Sequence, residues 1–94
     1  MRIESILWLE EILDKLWRKH QVDEHEVVEA LQNRPKFRFV ERGLREGEDV
    51  YVAAGRTDAG RLLVVFFVLK ASGEALILSA RDMSPAERRR YEQK

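Results

Sequence analysis

RLLVVFFVLK, residues 61–70, is the stretch on which the fold turns. Its eight-residue apolar run, Leu62 to Leu69, is less than half the ~20 residues a membrane-spanning helix needs. It is β-branched and aromatic and apolar at odd and even positions alike, the mark of a strand covered on both faces in the middle of a sheet. Its neighbours supply the rest of that sheet. Thr57-Asp58-Ala59-Gly60 reads as a hairpin turn behind a strand at Val50 to Arg56. Ala71-Ser72-Gly73-Glu74 makes a second turn, before a last strand at Ala75 to Arg81. Upstream, Phe37 and Phe39 alternate with Lys36, Arg38 and Val40, giving a strand with a basic outer face. Arg42 to Asp49, with two Gly and many charges, reads as a mobile connection.

On either side of the strands the period changes to that of helices. Ile6, Leu9, Leu13, Leu16, Trp17 and His20 follow three- and four-residue steps, so a helix runs to Lys19 from about Ser5 or from Leu9. In the second case Met1 to Trp8 is a short edge strand. Trp8 and Trp17 are expected in the core. Asp23 with Glu26 forms a capping box for a short helix that Asn33-Arg34-Pro35 stops. Ser84-Pro85-Ala86-Glu87 opens a C-terminal helix with an N-cap hydroxyl, Pro at the first helical position and Glu at the third. The expectation is one α+β domain over residues 1–94. It has two N-terminal helices, a four-stranded antiparallel sheet with room for an extra N-terminal edge strand, and a C-terminal helix, the helices gathered on one face.

Composition removes several functions. The 94 residues contain no Cys, so disulfides, thiolate zinc sites and a Cys nucleophile are out. His20 and His25 are too few for a dedicated imidazole metal site. No nucleophile elbow, phosphate-cradling Gly loop or paired zinc-ligand motif is present. Glu4, Glu10, Glu11 and Asp14 interrupt any secretory-signal pattern, so a cytoplasmic protein without membrane association is expected. Seventeen Lys plus Arg balance 17 Asp plus Glu, yet the charges are segregated. Residues 23–33 carry a net −4, residues 34–47 a net +3 and residues 84–94 a net +2. The remaining candidates for chemistry are basic residues at element ends: Lys19 and His20 closing the first helix, Arg56 closing one strand, Arg81 closing the last, and the triple Arg88-Arg89-Arg90 followed by Tyr91.

Taken together, Trp8, Lys19-His20, Val22 with the Glu-rich second helix, Gly55-Arg56, Gly60-Arg61-Leu62-Leu63-Val64-Val65, Ser79-Ala80-Arg81 and Glu87-Arg88 to Tyr91-Glu92 resemble the BrnT family of type II toxins. The resemblance covers nearly the whole chain. It implies a RelE-like fold and a cytoplasmic ribonuclease that arrests translation by cutting RNA without a metal or other cofactor. It also implies a BrnA-like ribbon-helix-helix antitoxin as partner, with a homodimer or a toxin–antitoxin heterotetramer as assembly. On this resemblance Arg56 and Arg81 contact the scissile phosphate, Lys19 is a further phosphate contact or proton donor, and His20 acts as general acid or base or orients Lys19. Arg88, Arg89 and Tyr91 hold flanking RNA. The chain departs from the family pattern at Leu9, Ile12 and Leu16, where Asp, Lys and Asn are usual, and at Gln21, where Gly is usual. These apolar replacements favour a competing reading, a non-catalytic interaction module that self-associates or binds a partner through its first helix.

Overall fold

The computed structural model describes residues 1–93; Lys94 lies outside them. The chain runs β1 (Ser5–Leu7), α1 (Glu10–His20), α2 (Glu24–Gln32), β2 (Lys36–Glu41), β3 (Asp49–Arg56), β4 (Leu62–Leu69), β5 (Glu74–Asp82) and α3 (Pro85–Glu92). One five-stranded sheet has the order β1-β5-β4-β3-β2, so the apolar run that opened the sequence reading is the central strand. The edge-strand reading of the N-terminus holds. β1 pairs in parallel with β5, which makes the sheet mixed, whereas β2 to β5 are antiparallel throughout. α1 therefore starts at Glu10 with Leu9 as its N-cap, and not at Ser5.

The pleat sorts the two faces. Tyr51, Ala53, Leu63, Val65, Phe67, Ala75, Ile77 and Ala80 look to one side, where Leu16 and Val22 from the α1 end and Val27 and Ala30 from α2 complete the core. Burying each large side chain of this set contributes about 1.5–3 kcal/mol. Phe37, Tyr51 and Phe67 extend it as an aromatic chain with ring centroids 6.0 Å apart at each step. α2 comes so close to β3 that a Cβ on Gly55 would lie 2.2 Å from the Ala30 carbonyl oxygen, which is why Gly precedes Arg56.

On the opposite face Lys36, Arg38, Val52, Ala54, Val64, Phe66 and Arg81 are cross-strand neighbours. α3 lies on this side, over β3. The expectation that all helices share one face is thus corrected: α1 and α2 cover one side and α3 crosses the other. The reason lies in β3, whose apolar residues on this side, Val52 and Ala54, lie beneath α3. The "outer" basic face expected for β2 is, for the same reason, the face α3 crosses.

Two aromatic expectations divide. Trp8 packs against the core, but Trp17 is 59% exposed. Of the apolar departures from the family pattern, Leu16 is fully buried and Ile12 packs on the core, whereas Leu9 is 43% exposed. Helical spacing lines Leu9 up with Leu13 and Trp17 on the outer side of α1.

Candidate functional site

Antiparallel pairing brings the end of β3, the start of β4 and the end of β5 to one edge of the sheet, which gathers Arg56, Arg61, Arg81 and Asp82. Alternation then separates them. Arg81 pairs in register with Val64, on the α3 face, and Asp82 pairs with Leu63, on the α1–α2 face.

Arg81 is built in. Its Nη1 and Nη2 donate to Glu87 Oε1 and Oε2 at 2.7 and 3.0 Å, Nη1 also donates to the Asp82 carbonyl oxygen at 3.1 Å, and the guanidinium lies 5.7 Å from the Phe66 ring centroid. Glu87 is placed by the capping box of α3. Ser84 N–H donates to Glu87 Oε1 at 2.7 Å, and Glu87 N–H donates to Ser84 Oγ at 3.2 Å. The hydrogen bonds from Arg81 hold the Glu87 carboxyl down at about 2, against an opposing push from partial burial. The pair is therefore charged at any physiological pH. Arg56 is exposed and forms no ion pair among the described residues.

α3 is tied across the sheet at its far end. Lys36 Nζ donates to the carbonyl oxygens of Tyr91 and Gln93 at 2.6 and 2.9 Å, a cation on a helix C-terminus, and sits 5.3 Å from the Tyr91 ring centroid. Between α3, β2 and β3 lies an open cavity of about 230 Å³ lined by Lys36, Phe37, Arg38, Val52, Ala54, Glu87, Arg90 and Tyr91. Lys36, Arg38 and Arg90 thus border this cavity with the already paired carboxylate of Glu87, and Arg81 and Arg56 lie on the same face of the sheet. Arg88 instead pairs with Glu92 at 2.7 Å and, with Gly60, Arg61 and Asp82, lines a shallow cavity at the sheet edge. Arg89 is exposed.

Lys19 and His20 end α1, on the other side of the sheet. Lys19 is exposed; His20 is half-buried and near enough to Asp82 to help lower its carboxyl, behind the larger effect of Arg61. The four residues nominated for catalysis therefore come from two sides of the sheet, Arg56 and Arg81 from the α3 face and Lys19 and His20 from the α1 side.

What fixes this edge is Arg61, to which the sequence reading gave no role. Its Nε and Nη2 grip Asp82 at 2.7 and 3.2 Å, Nη1 reaches both Glu26 oxygens at 3.1 Å, and Nη1 and Nη2 donate to the carbonyl oxygens of Gln21 and His20 at 2.8 and 2.9 Å. One guanidinium joins the C-terminus of α1, the first turn of α2 and the end of β5. Its position, one residue past a Gly turn and at the head of the apolar run, was the only available signal. Among the described residues no group of three or more His, Cys, Asp or Glu is arranged to hold a metal ion, and no helix is long and apolar enough to cross a membrane.

Fold and site together define a small α+β domain whose sheet carries a cationic groove on the side away from its main core. Residues 8–87 match the family described as ribonuclease toxin, BrnT, of type II toxin-antitoxin systems, and the chain belongs to that family. The fold is shared with the crystal structure of the Brucella abortus ribonuclease toxin BrnT. That superposition has a TM-score of 0.62 and 20% sequence identity, and covers 85% of this chain and 96% of the Brucella chain. No curated protein matches the sequence.

Proposed function

We propose that the chain is the toxin of a type II pair and cuts RNA without a metal, with Arg81 and Arg56 on the scissile phosphate. The observation that carries this reading is how Arg81 is held. Glu87 takes the Nη1–Nη2 edge of the guanidinium, and no protein acceptor among the described residues meets Nε or the second Nη2 proton. That free edge is the one that binds a phosphate bidentately. Glu87 aims the fork and leaves it usable.

Cleavage by an adjacent 2′-hydroxyl needs in-line placement, charge stabilisation on the phosphorane-like transition state and proton transfer to the leaving 5′-oxygen. Arg81 and Arg56 supply the charge. His20 or Lys19 transfers protons at this end of the sheet, the two ring nitrogens of His20 allowing it both to give and to take one. Arg88 and Arg89 meet flanking backbone at the same edge.

The partner in this reading is a BrnA-like ribbon-helix-helix antitoxin in the cytoplasm, with a toxin homodimer or a toxin–antitoxin heterotetramer as the assembly. The exposed Leu9 and Trp17 on α1 favour that helix as the protein contact. The competing module reading keeps this contact and drops the chemistry.

The test is RNA cleavage by the purified, partner-free chain in EDTA. Wild type is expected to cut; Arg81→Ala and Arg81→Lys are expected to be inactive while keeping the wild-type circular dichroism spectrum, because Lys restores charge without the fork. Activity that vanishes in EDTA and returns with Mg²⁺ overturns the metal-free mechanism. Full activity in an Arg56→Ala, Arg81→Ala double variant overturns the site.

A further inference from the structure

We infer that the cavity between α3, β2 and β3 is a nucleobase pocket, which sets where along an RNA strand the Arg81 site cuts; this rests on the ribonuclease reading of that site. At about 230 Å³ the cavity is smaller than the roughly 300–1,000 Å³ typical of drug-sized sites, and suits one flat ring system rather than a larger ligand. Its floor is apolar, Val52 and Ala54 from β3, and Tyr91 supplies an aromatic wall. Its rim is cationic: Lys36, Arg38 and Arg90. An apolar slot with an aromatic wall inside a positive rim matches the two halves of a nucleotide, a ring that stacks and a phosphate that needs cations.

The pocket also has a defined relation to the cutting site. Glu87 lines the cavity and at the same time grips Arg81, so one carboxylate borders both. A base seated against Tyr91 therefore lies one carboxylate away from Arg81, and a neighbouring phosphate falls within reach of its guanidinium. Among the described residues Glu87 Oε2 accepts only from Arg81 Nη2, whereas Oε1 already serves Arg81 and Ser84. The open lone pair on Oε2 can take an N–H of the base, which gives the pocket a means of preferring one base over another. Lys36 keeps the wall in place by holding the Tyr91 and Gln93 carbonyls.

The experiment is a two-dimensional NMR titration of the folded wild-type chain with each of the four nucleoside 3′-monophosphates, and with ribose 5-phosphate as a base-free control. Nucleotides are expected to shift the resonances of Val52, Ala54 and Tyr91 with saturation, and ribose 5-phosphate is not. Tyr91→Ala should weaken nucleotide binding about five- to a hundredfold, the span expected for losing one aromatic–base stack, and Tyr91→Phe should restore it. Ala54→Leu, which fills the floor from a second direction, should weaken it as well. Equal shifts from ribose 5-phosphate, shifts confined to other surfaces, or undiminished binding in both Tyr91→Ala and Ala54→Leu overturn the proposal. Because the probe is not cut, the outcome is separate from that of the cleavage assay: nucleotides seated in the cavity of a chain that leaves RNA intact uphold the pocket and refute the ribonuclease reading.

Discussion

Replacing Arg61 with Met removes a side chain that joins three elements, and the loss can be estimated from its contacts. The aliphatic stem is retained, so the change falls on the head group. The His20 and Gln21 carbonyls lose donors at 2.9 and 2.8 Å, and Glu26 loses a partner at 3.1 Å with its own side chain only 25% exposed. Asp82, 64% exposed, is rehydrated easily, so its share is that of a surface pair, about 0–1 kcal/mol. Bonds from a charged donor are worth roughly 1.5–3 kcal/mol each, and water reaching a partly open site recovers some of that. The sum is about 3 kcal/mol, of which Glu26 and the two carbonyls hold most. For a domain of this size it lowers Tm by about 15 °C. Thermal and urea melts followed by circular dichroism measure it directly. Asp82→Asn should cost under about 1 kcal/mol in the same assay. An Arg61→Met chain that melts within about 3 °C of wild type, or an Asp82→Asn chain as unstable as Arg61→Met, would refute the hub.

Two further changes test other parts of the design. Gln21 caps α1 with φ 50°, a left-handed conformation that favours the Gly usual in the family, and its side-chain amide partly compensates by donating to the Arg18 and Trp17 carbonyls at 3.2 and 3.4 Å. Gln21→Gly is therefore expected to change stability by no more than about 1 kcal/mol and to raise it, read as a higher urea midpoint. The Glu87 carboxyl lies at about 2 in the folded chain against 4.5 for the free group. A depressed carboxylate contributes stability that is present above its unfolded value and lost as pH falls toward its folded one. Urea midpoints of the wild type should accordingly fall between about pH 4.5 and pH 2 more steeply than those of Glu87→Gln, and parallel slopes in that window would show that the Arg81 pair is energetically idle.

The strands were legible in sequence because each depends on local alternation and a nearby turn: Leu62–Leu69 could only be central, and the Gly60 and Gly73 turns fix its neighbours. The capping boxes at Asp23 and Ser84 were legible for the same reason, every partner lying within three residues. What escaped was whatever depends on contacts distant along the chain. Trp17 fits the apolar period of α1 yet stands at the margin of its stripe, and only the position of β5 under that helix decides that it stays in water. Arg61 meets Glu26 and Asp82 across 35 and 21 residues. The side of the sheet on which α3 settles likewise depends on its packing over Val52 and Ala54 of β3, which no period within α3 encodes. Of the candidate site, the positions of Arg56 and Arg81 at strand ends are legible in the alternation of β3 and β5, whereas Lys36 and Arg38 read as a basic outer face because the alternation of β2 does not encode that α3 lies over them.

The charge balance of the chain takes its meaning from these pairings. Glu26, Asp82 and Glu87 are committed to Arg61 and Arg81, so three of the acids that cancel the total act as fixed counter-ions inside the scaffold. The acidic first turn of α2 lies on the α1–α2 side of the sheet and cannot offset the cations of the α3 side at close range. The groove consequently keeps a local surplus with a whole-chain charge of zero. A field of that kind attracts a phosphate that has come within about 10 Å, the screening length near 0.1 M salt, and does little for one further away. Binding to long nucleic acids should then be weak and only moderately salt-dependent, as expected when few phosphates are neutralised at once, and selection of an RNA segment falls to contacts inside the groove rather than to long-range attraction.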